Sequence, residues 1–168
     1  MSSDDGESTQ AALARTFGAV HRGVIAILGL LAIQFGLGMW VNLFGTFPTS
    51  SDVLATVEDT QDPVLQAHMV TAVLILAWAI VLIALTARKS IPRSDLGLAV
   101  TGLLTVLWAY GSGIDFILSG FSNNVDSYSM ALGFLATFVV YVVLLARTYR
   151  SLALARAGGP SAVVSSTP

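Results

Sequence analysis

Cysteine is absent from this chain of 168 residues. Disulfides, thiolate metal sites, iron–sulfur clusters and cysteine nucleophiles are thereby excluded. Charge is scarce as well: 11% of residues are charged, where a soluble domain carries roughly 25%. With 55% hydrophobic residues and a mean hydropathy of +0.78, the deficit points to a bilayer as solvent. Only two histidines occur, His21 and His68, too few for a multi-histidine metal site. There is no HExxH motif, phosphate-binding loop or hydrolase triad. No basic run interleaved with aromatics suggests nucleic acid as a partner.

What the chain has is four long apolar runs. They cover about residues 17–44, 65–87, 96–120 and 128–146. Each reaches the ~20 residues needed to cross a hydrocarbon core about 30 Å thick. Backbone groups in lipid have no water to bond, so the runs are expected as helices. The fold class expected is an all-α membrane protein, a bundle of four transmembrane helices. A cleaved signal peptide is not expected, because the first run is too long and no small-residue cleavage site follows it.

The basic residues set the direction. Arg15 and Arg22 open span one, Arg88, Lys89 and Arg93 separate spans two and three, and Arg147, Arg150 and Arg156 follow span four. All eight fall on one side, which the positive-inside rule makes cytoplasmic, together with both termini. The opposite side holds Asp52, Glu58, Asp59, Asp62 and Asp126 and no base. The expected location is the cell's inner membrane, with the lipid bilayer as first partner.

Three regions are predicted: an acidic tail over residues 1–14, a membrane domain over 15–150 and a Gly/Pro/Ser-rich tail over 151–168. Both tails are expected to lack structure. In the long outer loop, SSDVLATVED predicts a short amphipathic helix capped by Ser51 or Asp52. KSIPRSD predicts a tight inner turn in which Ser94 or Asp95 caps span three.

A two-hairpin pseudo-repeat is legible. Aligned without gaps, Gly36, Gly38, Leu43 and Gly45 of span one fall on Gly111, Gly113, Leu118 and Gly120 of span three. Spans two and four align His68 with Ser129 and Met69 with Met130. In span three, Gly97, Thr101, Thr105, Ala109 and Gly113 recur every fourth residue, a small-residue stripe expected to pack against a neighbouring helix. A dimer face, and a flat wall for a planar cofactor, are the alternatives. A homo-oligomer is compatible with the first of these.

Polar residues in apolar runs are the functional candidates. His21 lies near the cytoplasmic end of span one and is expected in the interface, without a partner. His68 lies at the outer end of span two, near Met39, Met69 and Met130, so the two histidines cannot ligate one heme together. Imidazole and thioether suit heme iron or copper; methionine is also an ordinary apolar filler. Asp115 and Gln34 stand as second-shell groups for His68 or as a polar pathway.

The elements IQFGLGMWVNLFGTFP and VLQAHMVTAVLILAWAIVLIAL resemble half of a heme A synthase, over about residues 17–147. Gln34, Gly36, Gly38 and Pro48 match its first helix and loop. The resemblance implies a four-helix heme-binding bundle with His68 as a heme ligand. That family has a second histidine at the start of the fourth helix, where this chain has Tyr128, Ser129 and Met130.

The leading expectation is therefore a membrane bundle ligating heme b through His68, with Met130 or Met39 as second ligand. Its task would be electron transfer or heme handling on the outer side. Whether it is an enzyme is left open. The alternatives are a protein without cofactor that stabilises a respiratory or other membrane complex, and a small-solute or ion pathway through Asp115 and Gln34.

Overall fold

The computed structural model describes residues 3–48 and 52–157. Five helices follow one another: α1 (Ser3–Phe44), α2 (Val53–Asp59), α3 (Pro63–Thr86), α4 (Arg93–Leu118) and α5 (Asn124–Ala157). The described residues contain no strand. Helices α1, α3, α4 and α5 are each long and apolar enough to cross a membrane. At 1.5 Å per residue even α3, the shortest of the four, spans more than a ~30 Å core. This is a multi-pass membrane protein of the four-helix kind.

The long helices alternate in direction, so the start of α1 and the end of α5 lie at one end of the bundle and α2 at the other. Helix α1 neighbours α3 and α5, and α4 neighbours α3 and α5, which closes a ring in the order α1, α3, α4, α5. The core runs along its axis through Val20, Val24, Ile27 and Leu31 of α1, Ile75, Ala79 and Leu82 of α3, and Tyr141 and Leu144 of α5. Outward the helices present large apolar side chains such as Ile33, Val73, Leu104 and Val139. A soluble bundle would face water there; here lipid is the matching solvent.

The helix ends follow local chemistry. Asp62 caps α3, accepting from the Val64 and Leu65 N–H groups, with Pro63 in the first turn. Proline is favoured there because its missing N–H needs no partner. Asp52 caps α2 by accepting from the Ala55 N–H at 3.0 Å; Ser51, the alternative cap, lies outside the described residues. Helix α4 ends in a Schellman turn: the Phe121 N–H reaches the Phe116 carbonyl and the Gly120 N–H that of Ile117, both at 2.9 Å. Gly120 takes the left-handed φ of 64° this turn requires, and Phe121 follows at 59°. A phenylalanine held there is strained, and its ring stacks on Phe47 at 4.6 Å.

Three expectations change. Helix α1 starts at Ser3 and α5 runs to Ala157, so residues 3–14 and 151–157 are helical rather than unstructured. Strong helix formers in TQAALAR and SLALARA, with no breaker between them and the spans, continue the helices. Residues 1–2 and 158–168 lie outside the described residues.

Neither Ser94 nor Asp95 caps α4. Pro92 takes that position with no side-chain bond. Asp95 is instead buried and ion-paired with Arg147 of α5, and Ser94 accepts from the same guanidinium.

The small-residue stripe divides. Gly97 and Thr101 are exposed, the Thr101 hydroxyl bonding back to the Gly97 carbonyl. Ala109 meets α5 so closely that a Cβ on Gly133 would lie 2.9 Å from its backbone nitrogen. The buried line on α4 is Asp95, Ala99, Gly102, Val106 and Ser112, a neighbouring stripe on which Gly102 makes room for the Tyr141 ring.

Candidate functional site

A cavity of about 700 Å³ opens between the four long helices at the α2 end. Its deep wall is Leu31, Ile75, Val106 and Thr137; its flanks include Phe35, Met39, Met69, Met130 and Phe134. Phe47, Phe116 and Phe121 roof it, all three rings within 6.0 Å of one another. Thr56 of α2 also reaches the cavity and is fully buried. The volume lies in the ~300–1,000 Å³ range of small-molecule and cofactor pockets.

His68 and Gln34 form a polar pair on the wall of this mostly apolar chamber. Gln34 Nε2 and His68 Nε2 are 3.2 Å apart, joining α1 to α3 side chain to side chain. Gln34 Oε1 and His68 Nδ1 are buried with no partner. The imidazole lies over Gly38, where an added Cβ would come within 3.0 Å of His68 Cε1 and 3.5 Å of Nδ1. On the other hairpin, a Cβ on Gly113 would meet Met130 Sδ at 3.3 Å. Gly38 and Gly113 are the glycines paired by the repeat. Each seats a side chain from the start of the next long helix, His68 in one case and Met130 in the other.

The candidate residues are thus partly assembled. His68, Gln34, Met39 and Met130 all line the cavity. Asp115 does not: it is exposed on α4, away from the chamber, so it is not brought to His68 as an acceptor or joined to Gln34 as a pathway. Ser129, aligned with His68, is bonded to the Ser112 hydroxyl at 2.9 Å and accepts from the Trp108 indole at 3.0 Å. Tyr128 is exposed. His21 lies toward the opposite end of α1 and bonds the Thr148 hydroxyl at 3.3 Å, a partner its expected place in the interface did not require.

Gln34, expected as a group beside His68, does bond it across α1 and α3. One feature was not foreseen. It is the aromatic roof, whose signal is the phenylalanine next to Gly120 and the one before Pro48.

The donor set bears on which metal centre suits the chamber. Among the described residues no cluster of three histidine, cysteine or carboxylate side chains exists, which leaves out a zinc- or calcium-type cage. An imidazole and thioethers line the cavity, side chains of the kind that can hold heme iron, while among the described residues no lysine or arginine lines it. The two glycine seats hold both donors at the chamber wall. Comparison with family models, with curated proteins and with solved structures finds no match.

Proposed function

We propose that this protein binds heme b in the chamber at its α2 end and serves electron transfer or heme handling there. In our reading that end faces outward from the cell's inner membrane and both termini are cytoplasmic. The carrying observation is His68 Nδ1, buried without a partner, on a side chain that lines a cavity with mostly apolar walls. A buried polar atom without a partner is costly. A bound metal centre would satisfy it.

The chain's own residues then have separable tasks. His68 would be the ligand and Met130 or Met39 the second donor. Gln34 holds the imidazole: with its amide turned by half a rotation, Oε1 accepts the Nε2 proton and leaves the Nδ1 lone pair free, as partners of metal-bound histidines do. The aromatic roof and the apolar walls keep water from the site. Heme, when bound, supplies one-electron chemistry.

One observation favours a second reading. The segments around the chamber mouth contain Asp52, Glu58, Asp59, Asp62 and Asp126 but no lysine or arginine. Heme carries two carboxylates, and nothing cationic is placed to meet them. An uncharged lipophile with a carbonyl head, bonded by His68 and Gln34, suits the same walls. Protein purified in mild detergent, extracted with organic solvent and analysed by mass spectrometry separates the two. About one heme per chain supports the first reading, and a stoichiometric neutral lipophile the second. Neither compound, even after supply during expression, overturns both.

A further inference from the structure

At the opposite end of the bundle, the turn between α3 and α4 encloses a second cavity, of about 410 Å³. Its floor is covered, with Thr86 and Ile91 buried and Leu96 beside them. Its rim carries Arg88, Lys89 and Arg93. No side chain of these three makes a hydrogen bond or ion pair among the described residues; the ion pair nearby joins Arg147 to the buried Asp95 instead. The Thr86 hydroxyl donates to the carbonyls of Leu82 and Ile83 within its own helix.

Three like charges around one hollow repel each other, and the fold gives them no internal partner. A cation near the C-terminus of α3 would answer the helix dipole, but that needs one charge and no cavity. Sidedness alone asks only for basic residues at this end, which Arg150 and Arg156 already supply. We propose that the α3–α4 turn is a binding site for a phosphate-bearing anion. Arg88, Lys89 and Arg93 would surround the phosphate oxygens while Ile91 and Leu96 carry the apolar part of the ligand. The chemistry is shared by an anionic phospholipid headgroup and by a soluble phosphate compound. The site lies at the membrane boundary, where headgroup phosphates are present on either face, so the inference does not depend on the orientation of the chain or on what fills the larger chamber.

The test uses the full chain in a zwitterionic detergent. Native mass spectrometry with added phosphatidylglycerol or phosphatidylcholine is run on wild type, on the triple variant Arg88→Ala/Lys89→Ala/Arg93→Ala, and on Arg150→Ala/Arg156→Ala. The expected result is retention of phosphatidylglycerol over phosphatidylcholine by wild type and by the α5 variant, and at least about tenfold weaker retention by the triple variant. A parallel thermal-shift series with inorganic phosphate separates the sources: stabilisation of wild type but not of the triple variant, without lipid preference, assigns the site to a soluble phosphate compound. Should the triple variant fail to fold, Lys89→Ala and Arg93→Gln are measured singly, each expected to weaken binding. Equal loss in the triple and α5 variants, or no preference in either assay, overturns the proposal.

Discussion

Arg147 of α5 places its Nε 2.6 Å from Oδ1 of Asp95, which sits 1% exposed in the first turn of α4, while the arginine itself is 46% exposed. The second guanidinium nitrogen donates to the Ser94 hydroxyl, also at 2.6 Å. This clamp ties the start of α4 to the neighbouring α5. Its other carboxylate oxygen has no partner, so the arginine is what makes the buried charge tolerable.

Removing one side of such a pair is worse than removing both. Arg147→Ala is expected to destabilise the bundle by about 3 kcal/mol, because it strands a buried carboxylate. Asp95→Ala/Arg147→Ala should recover a large part of that loss. Thermal unfolding in detergent of the two single variants and the double variant measures the coupling. Additive losses would show that the pair is not a unit.

How the chain announces these features differs from one to the next. The four spans are legible because apolar runs of bilayer length leave the backbone one structural answer. Asp62 before Pro63 is legible as a helix start for a local reason, capping. Asp95 looks like the same signal and is not. Its role is set by Arg147, more than fifty residues later, and no local pattern carries that information. The chamber is an intermediate case. His68 and the two methionines stand out as donors near one end, but the partner of His68 depends on how α1 and α3 rotate against each other. The exposure of Asp115 depends likewise on the rotation of α4. That rotation is fixed by close approaches such as Gly133 on Ala109 and Gly102 under Tyr141. The four-residue stripe through Gly97 and Thr101 identified the wrong face at one end for this reason.

Helix packing supplies the second prediction. Ala109 lies against the backbone of α5 at Gly133, whereas Leu107 is exposed toward lipid. Ala109→Leu should cost about 1–3 kcal/mol through overpacking. Leu107→Ala should cost clearly less. Equal thermal stability of the two variants in detergent would contradict a close α4–α5 contact there.

Asp62 supplies a pH dependence outside the membrane. Its carboxylate is held below its ordinary range, chiefly by the Val64 N–H, against a smaller opposing effect of burial, with the Leu65 and Thr46 N–H groups adding. A carboxyl whose folded value is lowered contributes stability that is complete above its unfolded value and lost as pH falls through the folded one. Hydrogen exchange at Val64 and Leu65, corrected for intrinsic rates, should lose protection in that acid window. In Asp62→Asn the same amides should show protection that no longer depends on pH there.

Orientation is tested by reporter fusions at positions 55, 91, 124 and 160. The distribution of the eight basic residues predicts outside, inside, outside and inside. An outside signal at position 91 would reverse every side assignment, though not the bundle itself.

The central claim is that the chamber at the α2 end holds heme through His68. It is tested most directly by the visible spectrum of the protein purified in mild detergent after expression with heme supplied. Wild type and His21→Ala should both show a Soret band, because His21 lies toward the other end of α1 and bonds Thr148. His68→Ala should lose the band, and Met130→Ala should shift it or give a high-spin spectrum if the thioether is the second ligand. A wild-type protein with no Soret band, or a band that survives in well-folded His68→Ala, would contradict the account.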